Sequence, residues 1–289
     1  MKNIGIISNL DRDIGGAYLA KVALWLREQS ANPIVFEDFG QFVHDGCSTA
    51  EEDELYRSSD LIVALGGDGT MINASKFAAR HNVPIIGINL GTLGYLTDSE
   101  GGPGGIDALG KVLAGEYKTD RRMMLVAEVL DEDSNVIQSD LLALNDVCVL
   151  RGMHPKAKSF NLYINGQFLD TYKADGIIIA TPTGSTAYNL SAGGPVLKPD
   201  MENIAITPIC PHKMDSRPLV VCAGDVVSLE VGGRYEPSDD RDILLTLDGQ
   251  ENIVFRKGQS VRVRKSEKFV TLVKTNDLGF YDILRMKLR

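Results

Sequence analysis

The first 120 residues alternate short apolar runs with stretches whose apolar residues recur at helical spacing, and this alternation constrains the fold most. Residues 3–8, 33–36, 61–65 and 84–90 read as buried strands. Between them, 17–26 sets Leu19, Ala23 and Leu26 on one helical face, 51–56 is a short acidic helix and 70–80 is helical. A last helix is expected over 106–114, and Asp11 and Asp13 stand where the first helix needs cap residues. Strands joined by helices imply crossovers, parallel pairing and a helix-covered sheet. Residues 1–120 are therefore predicted to form an α/β domain.

After Tyr117 the texture changes. Runs at 123–130, 136–138, 141–150, 160–164 and 177–180 read as strands, with hairpin turns at 131–135 and at Asn165-Gly166. More follow at 204–209, 219–222, 226–231, 243–247, 260–263 and 269–273. This predicts a β-rich second domain over 121–275. Residues 277–288 look like an amphipathic closing segment, so 276–289 is set apart as a piece able to pack on the first domain. Two domains suit 289 residues.

The net charge of −9 and a pI near 5.0 argue against bulk nucleic-acid binding. From Arg256 to Arg289 ten Lys/Arg face three Asp/Glu, a local +7 that leaves −16 elsewhere. A polyanion site is one reading of that stretch, and a solvated face is the favoured one. Cys47, Cys148, Cys210 and Cys222 lack paired or zinc-like spacing and read as buried small hydrophobes of a reducing compartment. No apolar run approaches the ~20 residues of a membrane span, and Met1-Lys2-Asn3 leads into a strand without a cleavage pattern. The expectation is a soluble cytoplasmic protein.

Three glycine-rich segments could carry chemistry. Gly66-Gly67-Asp68-Gly69-Thr70 lies between a strand and a helix, where backbone N–H groups and the helix dipole suit a phosphate. An aspartate there would repel that phosphate unless it handles a proton or a metal ion; the alternative is that Asp68 caps the helix. A second segment, Gly87 to Leu96, leaves the fourth strand and reaches the same sheet edge. The third, 181–195, packs hydroxyls, Tyr188 and glycines after a strand, which suits the polar edge and ring of a nucleotide. Other motifs fail. Residues 105–111 give Gly-x-x-x-x-Gly-Lys but place Val112 where Ser or Thr must meet magnesium, and no Gly-x-Ser-x-Gly or metal-spaced histidine occurs.

Gly66 to Thr70, Asn145-Asp146, Asp175-Gly176 and the long Thr-Pro-Thr-Gly-Ser-Thr-Ala-Tyr run, in this order, resemble the bacterial NAD kinases from the first strand to Asp248-Gly249-Gln250. Gly-Gly-Asp-Gly-Thr alone is shared with phosphofructokinases and with diacylglycerol or sphingosine kinases; the long run is the family's own. Asp146 stands where many members carry Glu, and Lys173 replaces an Arg found in some. The resemblance implies transfer of the terminal phosphoryl of ATP to the 2′-hydroxyl of NAD's adenosine ribose, with Mg2+ or another divalent metal ion, in a homo-oligomer (dimer or tetramer). Asp68 would be the base and Gly66, Gly67, Gly69 and Thr70 the phosphate loop. Asn145 and Asp146 would hold the adenosine, and Thr186, Ala187, Tyr188, Asn189, Leu190 and Ser191 would line its pocket. Lys173 and Asp175 fall on the nicotinamide side, while Lys156 and Gln250 occupy family contact positions. The competing readings are a lipid kinase of the diacylglycerol type, which would want an apolar acceptor pocket, and a dinucleotide-binding sensor without turnover.

Overall fold

The first five strands all run the same way, joined by helical segments of which the second is a short 3-10 turn over Glu37–Phe42. The computed structural model describes residues 2–43, 46–152, 157–232, 243–256 and 258–288. The chain divides into two units, Met1–Arg122 with Lys268–Arg289, and Met123–Glu267. The first begins with β1 (Asn3–Ser8), α1 (Ala17–Glu28), β2 (Asn32–Phe36), β3 (Ser48–Ala50), α2 (Glu52–Ser58), β4 (Leu61–Gly66) and α3 (Asp68–His81). β5 (Ile85–Asn89), β6 (Ser99–Glu100) and α4 (Pro103–Leu113) follow.

The strand order β3-β2-β1-β4-β5 is parallel throughout. Every residue of β4 and β5 is buried, as strands covered on both faces must be, which is why their sequences are apolar without alternation. Leu19, Val22 and Leu26 of α1 and Leu109 and Val112 of α4 pack on Ile4, Ile6, Val63 and Ile86. Strand order reverses at β1, so the carboxyl ends of β1 and β4 open side by side, where sheets of this kind collect ligands. Of the two expected cap residues, Asp13 serves the helix start: its buried carboxylate accepts from the Tyr18 and Leu19 N–H groups at 2.8 and 2.9 Å.

β7 (Lys118–Leu130) leads into the second unit and pairs with β8 (Val136–Ala143). β9 (Asp146–Leu150), β10 (Lys158–Ile164), β11 (Gln167–Ala174), β12 (Gly176–Ala180), the single-turn α5 (Tyr188–Ser191), β13 (Asn203–Ile209) and β14 (Leu219–Cys222) follow. The unit ends through β15 (Val227–Gly232), β16 (Leu244–Leu247), β17 (Glu251–Val254) and the start of β18 (Ser260–Lys274). Asn165 and Gly166 take φ values of 52° and 77° between β10 and β11, the left-handed pair that a two-residue hairpin requires. β10 and β15 lie beside the start of β18, and a second antiparallel sheet runs β14-β13-β12-β9-β16-β17. Phe160, Leu162, Leu229 and Val261 from one side and Val147, Ile177, Ile206 and Leu245 from the other form the core.

Two of the expected elements differ. The run 141–150 breaks before Asp146, because the N–H groups of Leu144 and Asn145 donate to the Asp248 carboxylate instead of a strand partner. The expected strands 260–263 and 269–273 are one strand, β18. It begins antiparallel to β15, and its Leu272 pairs parallel with Ile85 of β5. Its last residues and α6 (Phe280–Lys287) belong to the first unit.

The cysteines are all free, but Cys210 and Cys222 are exposed, not buried as expected, since both stand at strand ends. The basic stretch pairs internally in part, Arg262 and Arg264 with Glu128 and Arg285 with Asp282. No helix among the described residues is long and apolar enough to cross a membrane.

Candidate active site

In the first unit the loop after β4 is shaped by close approaches. A Cβ on Gly66 would strike the Thr70 side chain, and one on Gly67 would lie 2.8 Å from the Arg12 guanidinium. At Gly69 the same position faces open space. Arg12, in the loop after β1, is absent from the residues read as functional in the sequence; the signal that could have found it is a basic residue just past the strand at which the sheet order reverses.

Gly67, not Asp68, is the N-cap of α3, and Asp68 is the first helical residue with no cap bond. Its carboxylate turns to the loop after β5. The Tyr95 N–H donates to Oδ2 at 2.9 Å and the Leu96 N–H to Oδ1 at 3.0 Å. A Cβ on Gly94 would overlap that carboxylate, so glycine is needed there for close approach. A carboxylate offers about four lone-pair positions, and two bonds leave room for a substrate hydroxyl.

In the second unit the Asp248 carboxylate accepts from three consecutive backbone N–H groups, those of Leu144, Asn145 and Asp146, at 3.1, 2.7 and 3.1 Å. In the sequence Asp248 marks only the end of the family match. Its left-handed φ of 55° turns the chain back so that its own N–H donates to the Asp146 carbonyl. The Asn145 side chain, nearly buried, makes no hydrogen bond among the described residues. Burial pushes the Asp146 carboxyl up to about 6; a bond from the Cys148 thiol opposes this and the Asp248 charge adds to it.

The run 181–195 divides by role. The Thr181 hydroxyl donates to the Leu144 carbonyl at 2.6 Å and the Ser185 hydroxyl to the Pro182 carbonyl at 2.6 Å. The Asn189 amide donates to the Ser185 and Pro195 carbonyls and accepts from the Thr207 hydroxyl. Asn189, expected in the NAD pocket, thus spends its side chain on the turn, because a polar loop folded over β12 must satisfy its own carbonyls. Thr186, Ala187 and Leu190 are half-buried, and Tyr188 and Ser191 exposed. Tyr188 lies within electrostatic reach of Cys148, Cys210, Asp146 and Asp175, which brings four parts of the sequence to one place.

Asp175 is ion-paired with Arg151 at 2.7 Å, Lys173 is exposed on β11, and Gln250 is exposed in the turn after β16. Lys156 lies outside the described residues, as does nearly all of the 232–242 segment.

A switch-point loop presenting an oriented carboxylate on one unit, and a polar loop with an exposed tyrosine on a β-rich second unit, suit a phosphotransferase of the nucleotide-kinase type. The model of the ATP-NAD kinase N-terminal domain matches residues 4–117, and that of the ATP-NAD kinase C-terminal domain matches 144–275. The NAD kinase of Thermoanaerobacter sp. (strain X514) is 39% identical over 292 residues, covering 100% of this chain and 99% of that protein. That of Geobacter metallireducens is 37% identical with the same coverage. Among solved structures, yeast NADH kinase complexed with NADH matches with a TM-score of 0.88 and 25% identity over 100% of this chain and 87% of that one. An NAD kinase from Archaeoglobus fulgidus in complex with ATP gives 0.77 and 25%, over 99% and 98%. The chain belongs to the ATP-NAD kinase family.

Proposed function

We propose that Asp68 is the general base of the reaction in which this chain phosphorylates NAD to NADP with ATP. The carrying observation is the Asp68 carboxylate, aimed by two backbone N–H groups and not used as a cap. A ribose hydroxyl is a weak nucleophile at neutral pH, and a positioned carboxylate takes its proton as the oxygen attacks the terminal phosphorus. Phosphoryl transfer otherwise depends on alignment and charge neutralisation. Gly67 and Gly69 bring backbone N–H groups toward the phosphates, and Arg12 adds a fixed positive charge.

The second unit is the dinucleotide-binding part. Asn145 and Asp146 hold the adenosine ribose and base, and Thr186, Ala187, Tyr188, Leu190 and Ser191 line the pocket. Lys173, Asp175 and Gln250 are peripheral contacts. An exposed ring on a loop otherwise satisfied internally supports this reading.

The acceptor position is tested with NAD lacking the 2′-hydroxyl on its adenosine ribose. No product is expected, and weaker binding than NAD's, because buried polar groups are left unpaired. Diacylglycerol in mixed micelles is expected to take no phosphate, and labelled lipid with unlabelled NAD would move the chain to the lipid kinases.

Magnesium keeps several waters and takes few protein ligands, so it would come with the triphosphate, held by phosphate oxygens at the Gly67 and Gly69 loop. The donor set fits this: Asp68 offers carboxylate oxygen beside that loop, and among the described residues no three His, Cys, Asp or Glu side chains gather to cage an ion. When bound, the ion neutralises developing phosphate charge. We assign the chain to the cytoplasm, supported by its four free cysteines, and to a homo-oligomer, supported by Phe168 and Leu169 exposed on β11; sedimentation velocity reads the latter.

The raised Asp146 carboxyl makes NAD binding pH-dependent. The ionised form accepts more strongly from a ribose hydroxyl than the neutral acid does, so KM for NAD should rise as pH falls through about 6, and Asp146→Asn should abolish that dependence. Stability moves the other way. A carboxyl whose folded pKa is raised stabilises the fold below its unfolded pKa of 3.8 and loses that contribution as pH climbs to about 6. Urea midpoints between pH 4 and 7 check the sign.

A further inference from the structure

We propose that Lys274, at the end of β18, is a positioning residue for catalysis: it holds, by its carbonyl, the residue whose N–H aims Asp68. This rests on Asp68 being the base. Lys274 is largely buried, and its ammonium donates to the Leu96 and Thr97 carbonyls at 3.2 and 3.0 Å. Leu96 is the residue whose N–H donates to Asp68 Oδ1. One residue is therefore gripped at both ends, its carbonyl by a cation and its N–H by the carboxylate.

The following residues extend the grip. Asp98, buried, accepts from the Thr275 N–H at 2.9 Å and hydroxyl at 2.6 Å, and the Asn276 amide donates to its carbonyl and carboxylate. The loop's other bonds come from nearby segments of the chain: Asn89 accepts from the Gly91 N–H, Thr97 from the Gly94 N–H, Glu100 from the Leu93 N–H, and the Gly87 carbonyl from the Asp98 N–H. An ammonium withdrawn from water is an expensive way to satisfy two carbonyls, since burial disfavours the charged form. Asp98, Asp120 and Asp68 offset that burial and Arg122 opposes them, so the cation sits within the charge cluster of the site. A lysine used only for packing needs no such surroundings.

The test compares Lys274→Met, Lys274→Arg and Asp68→Asn in one assay. Lys274→Met should lower kcat about tenfold to a hundredfold, the scale of misplacing a catalytic group by about 1 Å, with KM for NAD and ATP within about threefold. Hydrogen exchange should quicken at the Tyr95 and Leu96 amides and stay slow across β4. Lys274→Arg, which keeps charge and donors, should recover part of kcat. Wild-type kcat and exchange in folded Lys274→Met overturn the proposal, as does exchange quickened throughout the first unit with Lys274→Arg no better than Met. If Lys274→Met does not fold, Lys274→Gln decides: its shorter amide reaches one carbonyl, so kcat should fall severalfold with local loss of protection, and wild-type values overturn the idea. An active Asp68→Asn would instead sink the base assignment beneath it.

Discussion

Asp68→Asn is expected to fold, to bind NAD with near-normal affinity, and to lose about 10²- to 10⁴-fold in kcat, the usual range for removing general-base assistance. Asparagine keeps the shape and one carbonyl oxygen but cannot take a proton from the ribose. Its amide also places N–H donors against the N–H of Tyr95 or Leu96, which now donate to the two carboxylate oxygens. Some loss of alignment therefore accompanies the chemical one. Because Gly67 caps α3, the helix loses no cap, and the melting temperature should fall only by the cost of one loop N–H left without its acceptor. A variant with wild-type kcat would leave Asp68 without a catalytic part. Calorimetric titration with NAD separates binding from turnover.

Asp248→Ala carries the second large effect. It leaves three successive backbone N–H groups, of residues 144 to 146, without their acceptor. An unsatisfied buried donor costs about 1–3 kcal/mol, so a loss of several kcal/mol is expected, less what water recovers. The same backbone carries Asn145 and Asp146, so NAD affinity should fall with stability. Asp248→Asn separates the two. With its oxygen in place of Oδ1 it still serves Asn145 and Asp146 and offends only Leu144, so most binding should return while stability stays depressed. Denaturant titration and NAD binding on both variants check this, and full NAD affinity in folded Asp248→Ala would show that the pocket does not depend on the cage.

What is legible in the sequence is local. β4 and β5 announce themselves as unbroken apolar runs because both their faces are covered, and Asn165-Gly166 dictates its hairpin through two left-handed residues. β3 and β17 are not legible, because short, largely exposed strands such as Ser48–Ala50 and Glu251–Val254 carry little apolar pattern. The glycine loops are readable because each is contiguous. Their supports are not, since Lys274 reaches Leu96 across 178 positions and Asp248 reaches Leu144 across 104. Nothing in a single sequence marks such partners. In the run 181–195 polarity signals a ligand and a self-satisfied turn equally, and the Asn189 side chain serves the turn.

β18 has a consequence for the order in which the protein is made. Residues 268–289 complete the first unit, yet they leave the ribosome only after all of the second. The sheet edge at β5 waits for Leu272, and the Leu96 and Thr97 carbonyls wait for Lys274, throughout that interval. Domains usually fold as they emerge, the N-terminal one first. Here the nascent first unit can gather its five parallel strands early, while the loop beside Asp68 lacks its Lys274 anchor until the second unit has been made.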